Sequence, residues 1–419
     1  MREIPRAADD PWRLLLEELY GLTPRGIQPG LERVEDALAR LDHPERAFDV
    51  VHVAGTNGKG SVAAMIAHGV LARHVGLYTS PHLHSLTERF RVDGAPVARE
   101  VVLDTWASIR DRLAEVPLSF FEAVTVLGFE IFRRQGVELA VLETGLGGRL
   151  DATNVIERPL VTAITRIALD HQAWLGDDLA GIALEKAGIL RPAVPCVVAP
   201  QVPEVDAALE RRAASIGAPL VRSTHEGPSS ALRVRDDARV SPPLSLGLAG
   251  DHQKDNAAVA VAALWVLEAC GVAVDVAHAV RAPWPGRLER IEGVPEVLLD
   301  VAHNPDGAVA LARALADEPR TPVLVFGAMR DKAWTEMLSI LRPAASHVVL
   351  TAAPLARSEA PERMAEPADR VVPDVAEAVS VARGLAGTEG LVVVTGSAFV
   401  VAAARAFLLG LESDPPIAM

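Results

Sequence analysis

Strand-like apolar runs alternate with Ala/Leu-rich amphipathic stretches along most of this chain, and that rhythm restricts its fold more than any other feature. Val50–Ala54, Leu139–Leu142, Leu160–Ile164, Cys196–Ala199, Val297–Asp300, Val323–Phe326, Val348–Leu350 and Leu391–Val394 read as buried strands. Ser61–Arg73, Asn256–Cys270 and Gly307–Ala316 read as helices between them. Apolar strands separated by helices build parallel sheets covered on both faces. A chain of 419 residues, 50% hydrophobic, exceeds what one core normally holds. The segment Ala282-Pro283-Trp284-Pro285-Gly286 breaks a helical region before a new strand–helix series, as a domain junction does. The expectation is an α/β protein in two parts. Residues 1–283 would form a P-loop-type nucleotide-binding domain on a largely parallel sheet, and residues 284–419 a smaller Rossmann-like domain. The arginine-rich stretch from Val221 to Pro243 reads as a peripheral hairpin or loop.

The first strand runs directly into Gly55-Thr56-Asn57-Gly58-Lys59-Gly60-Ser61, followed by a helix. In that context glycines let backbone approach a ligand closely, N–H groups at the helix start face phosphate oxygens, and Lys59 adds a point charge. The alternative is an ordinary glycine turn before a helix. The segment departs from the standard P-loop, with Val53 at the first glycine position and Gly60 where a magnesium-binding hydroxyl is usual. A magnesium ion would need oxygen ligands elsewhere.

A net charge of −14 disfavours nucleic-acid or acidic-membrane binding, since both need a basic face. No apolar run reaches the roughly 18 residues needed to cross a bilayer. The opening MREIPRAADDPW has acidic residues where a secretory leader has its apolar core. The expectation is a cytoplasmic protein that binds neither nucleic acid nor membrane. With Cys196 and Cys270 alone, no disulfide framework is implied. Among 41 basic residues only Lys59, Lys186, Lys254 and Lys332 are lysines. A chain that uses arginine nearly everywhere else keeps lysine where a compact or titratable amine is needed, or keeps a few by chance.

Magnesium prefers one or two carboxylates completed by phosphates and water. Glu143 ends the strand Leu139–Leu142 and opens the turn Gly145-Leu146-Gly147-Gly148, at the carboxyl edge where parallel sheets bind ligands. It could equally be a turn carboxylate. Ser80 in Thr79-Ser80-Pro81-His82-Leu83 is a weaker candidate, and His171 after Asp170 reads as a ligand or as a capping residue. Lys186 in Glu185-Lys186-Ala187-Gly188-Ile189 is either a solvated lysine at a helix end or a neutral amine that has added carbon dioxide.

Taken together, these segments resemble the folylpolyglutamate/dihydrofolate synthases of the Mur ligase superfamily. The collinear matches begin at Gly26-Ile27-Gln28-Pro29-Gly30-Leu31-Glu32-Arg33-Val34 and His52 to Ser61. They continue through Thr79–Leu83, Phe120-Phe121-Glu122, Glu143–Asn154, Leu169-Asp170-His171, Glu185–Ile189 and His252-Gln253 with Asn256. Pro285–Glu289, Asp300–Pro305, Asp331-Lys332 and Thr395-Gly396-Ser397 complete the series. The family often has Asp-Leu-Gly where this chain has Gln28-Pro29-Gly30, and Leu-Tyr where it has Ala398-Phe399.

The resemblance implies an ADP-forming ligase that joins L-glutamate to tetrahydrofolate, to dihydropteroate or to both, with ATP as co-substrate and Mg2+ as cofactor. The rival within the superfamily is a cell-wall amino-acid ligase. Gly55 to Ser61, with Asn256, Arg287 and Asp300, would bind ATP. Ser80, Glu143 and His171 would bind the metal. Lys59, Glu143, His171 and Lys186 would be catalytic, Lys186 as the carbamylated lysine. Gln28, Pro29, Gly30, Phe121, Glu122, Leu150, Asp151 and Ala152 would line the folate pocket. The family suggests a monomer.

Overall fold

The computed structural model describes residues 10–26 and 28–415. The leader-free reading of the first residues and Ile27 of the first matched segment fall outside them.

Two sheets carry the fold, as the alternating pattern predicts. The first contains β1 (Asp49–Ala54), β2 (Val75–Tyr78), β3 (Phe90–Val92), β4 (Ala95–Pro96), β5 (Leu139–Glu143), β6 (Val161–Ile164), β7 (Cys196–Val198) and β8 (Leu220–Arg222). Its order is β4-β3-β2-β5-β1-β6-β7-β8, parallel except for the β2–β3 and β3–β4 pairs at one edge. β9 (Thr224–Glu226) and β10 (Arg233–Arg235) form a small antiparallel hairpin, which places a hairpin in the Val221–Pro243 stretch. The second sheet contains β11 (Glu289–Ile291), β12 (Glu296–Leu299), β13 (Val323–Phe326), β14 (His347–Leu350), β15 (Arg370–Val371) and β16 (Leu391–Thr395). It is ordered β11-β12-β16-β13-β14-β15, with only β11 antiparallel.

Helices cover both faces of each sheet. Lys59–Gly69 and His252–Ala269 pack Val62, Met65, Ile66, Leu264 and Leu267 on one face of the first sheet. Pro11–Tyr20 and Phe120–Arg134 bring Leu16, Leu19, Phe129 and Phe132 to the other. Removal of this apolar surface from water, at about 25 cal/mol per Å², drives the assembly.

One boundary corrects the sequence expectation. The helix expected over Ser61–Arg73 ends at Gly69. A Cβ there would lie 2.6 Å from the Leu264 side chain and 2.7 Å from Ala279 Cβ, so this is a close crossing with neighbouring helices. The chain then leaves the helix: Val70 bridges Val274, and Leu71 N donates to Ala273 O at 2.8 Å. Long-range pairing overrides a helical pattern that runs on in the sequence.

Candidate active site

β1 lies between β5 and β6, so three segments leave the sheet side by side at its carboxyl edge: the Gly55–Ser61 loop, Glu143, and the chain toward His171. This is where open α/β sheets bind ligands. The loop needs its glycines. Gly55 has φ 147°, and a Cβ there would meet Thr165 Oγ1 at 1.9 Å; Gly58 has φ 92°, and its Cβ would meet Asn256 Oδ1 at 2.2 Å. Thr56 is pinned on both sides, its Oγ1 donating to Ala168 O at 3.0 Å and accepting from Ala168 N at 3.1 Å. Lys59 Nζ donates to Thr56 O at 3.2 Å.

A cavity of about 960 Å³ opens over this edge and extends between the two sheets. Among the predicted nucleotide residues, Thr56 to Ser61, Asn256, Arg287 and Asp300 line it; so do the predicted metal residues Ser80, Glu143 and His171. Gln28, Pro29, Phe121, Glu122, Leu150, Asp151 and Ala152 form its other end. Gly55, Gly30 and Lys186 are the predicted positions not in the lining.

Several of these residues have structural duties too. Asp151 accepts from Gly145 N and Leu146 N, both at 2.8 Å, and from Thr153, holding the glycine turn after Glu143. Asp300 accepts from Leu288 N at 3.0 Å and Ala302 N at 2.9 Å, which holds the turn carrying Arg287. Glu122 caps its own helix through Ser119 and pairs with Arg33 at 2.7 Å, while Arg33 also donates to Gln28 O.

Glu143 accepts from Ser80 N at 3.1 Å, which puts two of the predicted metal residues in contact. Burial raises the Glu143 pKa, and Lys59 nearby opposes the rise. A desolvated carboxylate beside a cavity that contains a cationic lysine is suited to a hard metal ion. His171 has φ 51° and sits at the N-cap position of the short helix Gln172–Leu175, where its side chain makes no capping bond. Burial and then the Lys332 charge lower its pKa to about 4, so it is a neutral imidazole, whose Nε2 accepts from Lys332 Nζ at 3.4 Å. Among the described residues no group of three or more His, Cys, Asp or Glu is arranged to hold a metal. A metal here would need oxygens from a ligand or water as well, the arrangement magnesium favours.

Lys186 ends the helix Leu179–Lys186, as the sequence suggests, but it is 4% exposed and not solvated. Its Nζ donates to Gly55 O at 2.8 Å, directly beneath the phosphate loop. Burial, and then the Lys59 charge, bring its pKa down to about 7.

The sequence reading assigned no role to several residues that the fold brings to the cavity or into contact with its lining. Asp170 pairs with Lys332 and with His303 Nε2 at 3.2 Å, and accepts from Asn304 Nδ2 at 3.1 Å. Against the effect of burial, the hydrogen bond with His303 and the Lys332 charge hold its carboxyl well below the usual range. Asn304 in turn exchanges hydrogen bonds with Asn57 of the phosphate loop, at 3.1 and 2.9 Å. Arg89 is fully buried and lines the cavity; its Nε donates to His82 Nδ1 at 2.9 Å, and among the described residues both terminal nitrogens lack hydrogen-bond partners. The available signals were the short matches Leu169-Asp170-His171, Asp300–Pro305 and Asp331-Lys332. Arg89 had none.

Known proteins share this sequence pattern and fold. Residues 286–398 match the family model described as Mur ligase, glutamate ligase domain. The dihydrofolate synthase/folylpolyglutamate synthase of Mycobacterium tuberculosis is 37% identical over 363 residues, covering 78% of this chain and 74% of that protein. The chain belongs to the folylpolyglutamate synthase/dihydrofolate synthase family. A probable bifunctional folylpolyglutamate synthase/dihydropteroate synthase of Haloferax volcanii is 36% identical over 416 residues. That match covers 92% of this chain and 49% of the relative, so the chain spans about half that protein's length. Family structures superpose closely. Escherichia coli FolC in complex with DHPP and ADP has a TM-score of 0.88 at 31% identity, covering 97% of this chain and 99% of that one. The Yersinia pestis bifunctional enzyme complexed with AMPPNP and a Mn ion gives 0.86 at 31%, covering 98% and 100%.

Proposed function

We propose that this chain is an ADP-forming ligase that uses ATP and Mg2+ to join L-glutamate to a folate, to dihydropteroate or to both. One observation carries the proposal. A single cavity joins the phosphate loop and Glu143, the wall formed by Phe121 and Ala152, and the surface of the second sheet around Lys332 and Phe399. Nucleotide, acceptor and amino acid can therefore meet in one enclosure. The folate-branch names of the relatives favour a folate acceptor over a cell-wall one.

A carboxylate is a poor acyl donor and must be activated. Its oxygen attacks the γ-phosphorus of ATP, the bond to the β–γ bridging oxygen breaks, and ADP leaves with an acyl phosphate formed. Glutamate's neutral amine then attacks the acyl carbon. The C–N bond forms, phosphate departs and the amine loses its proton. Lys59 and the N–H groups of the Gly58–Ser61 helix start offset charge on the transferring group, much of the rate coming from positioning. Arg287 approaches from the second sheet, near Glu143 and Asp300. Ser80, Glu143 and His171 would hold the magnesium, which supplies charge neutralisation when bound. Lys186, as a carbamate, would place an anion beneath the loop. Asn256 and Asp300 complete the nucleotide end, and Gln28, Pro29, Gly30, Phe121, Glu122, Leu150, Asp151 and Ala152 the acceptor end. The domain boundary at 283/284, monomeric state and cytoplasmic location belong to the same proposal.

Phosphate release by purified protein with ATP, magnesium and glutamate tests it, adding dihydropteroate or tetrahydrofolate separately and weighing the products. Turnover with both acceptors gives a bifunctional enzyme, and turnover with one restricts it to that step. Silence with both, in protein that binds ATP, refutes the folate assignment.

A further inference from the structure

After the helix Ala398–Leu409 the chain returns to the first domain, and its carboxylate at Asp414 is buried there. The Asp414 side chain is 2% exposed. It accepts from Trp12 Nε1 at 2.8 Å, Leu86 N at 2.7 Å and Arg99 at 3.3 Å. Its backbone N donates to His84 O at 2.7 Å, and Ser413 Oγ lies 3.0 Å from His84 Nδ1. His84 Nε2 contacts Arg405 at 3.1 Å, Arg405 Nε donates to both Glu289 carboxylate oxygens at 2.9 and 3.0 Å, and Glu289 accepts from Gly286 N at 2.8 Å.

These contacts form one continuous path between two turns that matter to the cavity. One is the Ser80–Leu86 segment, which begins at a predicted metal residue and is otherwise tied by Ser80 N to Glu143 and by Leu83, His84 and Ser85 N to Glu88. The other is Gly286–Glu289, which carries Arg287. We infer that Asp414, with Ser413, His84 and Arg405, is a positioning group that sets the Ser80 segment in register with the Arg287 turn across the domain junction. Asp414, Ser413, His84, Arg405 and Glu289 are not in the cavity lining. A group in this indirect position acts by fixing geometry, and outer-shell partners of metal-site residues typically alter affinity or activity by about 10–100-fold.

The metal readout rests on the proposed role of Ser80, so Ser80→Ala serves as the reference for that reading. Asp414→Asn keeps the size of the side chain and one acceptor, while Asp414→Ala removes the group. Trp12→Phe removes a donor to Asp414 without touching the Ser80 segment and controls for lost stability. The measurements are amide hydrogen exchange at residues 83–86, the magnesium concentration for half-maximal turnover, and kcat and KM for ATP, all on the full chain. Expected for Asp414→Ala is exchange at Leu86 and its neighbours faster by about ten-fold or more, and a magnesium requirement raised by about ten-fold. Asp414→Asn should be intermediate and Trp12→Phe near wild type in both. Exchange at 83–86 no faster in Asp414→Ala than in Trp12→Phe overturns the inference, whatever the activity does. Faster exchange with an unchanged magnesium requirement also overturns it if Ser80→Ala does shift that requirement. If Ser80→Ala shifts nothing, the reading of Ser80 as a metal residue fails, and the exchange result alone decides on Asp414.

Discussion

Lys186 offers the sharpest test, because its chemistry depends on a protonation state that burial dictates. The side chain is 4% exposed, and its pKa falls from 10.5 to about 7. That displacement corresponds to roughly 5 kcal/mol in favour of the neutral amine. At pH 8 about nine-tenths of such amines are neutral, against well under 1% for an ordinary lysine. Only the neutral form adds carbon dioxide, and the product, an anion near Lys59, is electrostatically favoured there. The carbamate retains one N–H, so a bond to Gly55 O remains possible. Wild-type protein in 13C-bicarbonate at pH 8 should therefore show a carbamate resonance that is absent from Lys186→Met and fades below pH 7. The linkage has a definite sign. The folded pKa lies below the unfolded one, so the unfolded chain binds more protons between pH 7 and 10.5. In bicarbonate-free buffer this residue's contribution to stability is least below pH 7 and increases toward pH 10.5, by up to roughly 5 kcal/mol. Lys186→Met should remove that increment from the pH dependence of the urea midpoint. An identical pH dependence in the two proteins, with no carbamate signal in wild type, would refute the argument from burial.

Lys59→Met should reduce kcat by about 10²–10³-fold, and Lys59→Arg should not restore it, because a planar guanidinium cannot replace a compact charge in the loop; steady-state kinetics decide. Gly58→Ala should cost about 1–3 kcal/mol, seen in thermal melts, and weaken ATP binding in calorimetry, since φ 92° is strained and the new Cβ would collide with Asn256 Oδ1. His52 is fully buried on β1 with its pKa lowered to about 3 by burial, so its stabilising contribution is complete above pH 6.5 and declines as pH falls. That residue alone should remove about 2 kcal/mol between pH 6.5 and 5; a His52→Gln variant whose urea midpoint falls equally over this range would contradict it.

The local patterns were legible before the tertiary structure. Apolar runs separated by amphipathic stretches led to the parallel sheets, because burial on both faces and a 3.6-residue helical period are written in neighbouring residues. The Gly55–Ser61 loop was legible for the same reason: strand, glycines, lysine and helix start are contiguous. Glu143 could be placed at a sheet edge from the strand before it.

What only tertiary structure decided depends on residues far apart in the chain. The Ser61 helix stops at Gly69 because Leu264 and Ala279 cross it closely, and nothing within residues 61–73 records that crossing. Lys186 reads in sequence as either a solvated helix-end lysine or a neutral amine, and only the fold, which buries it beneath Gly55, rules out the solvated one. Asp170 meets Lys332, His303 and Asn304, and Asp414 meets Trp12 and Leu86, only after two domains pack together. Secondary structure follows from near neighbours, whereas desolvation and charge pairing follow from what the finished topology places around each group.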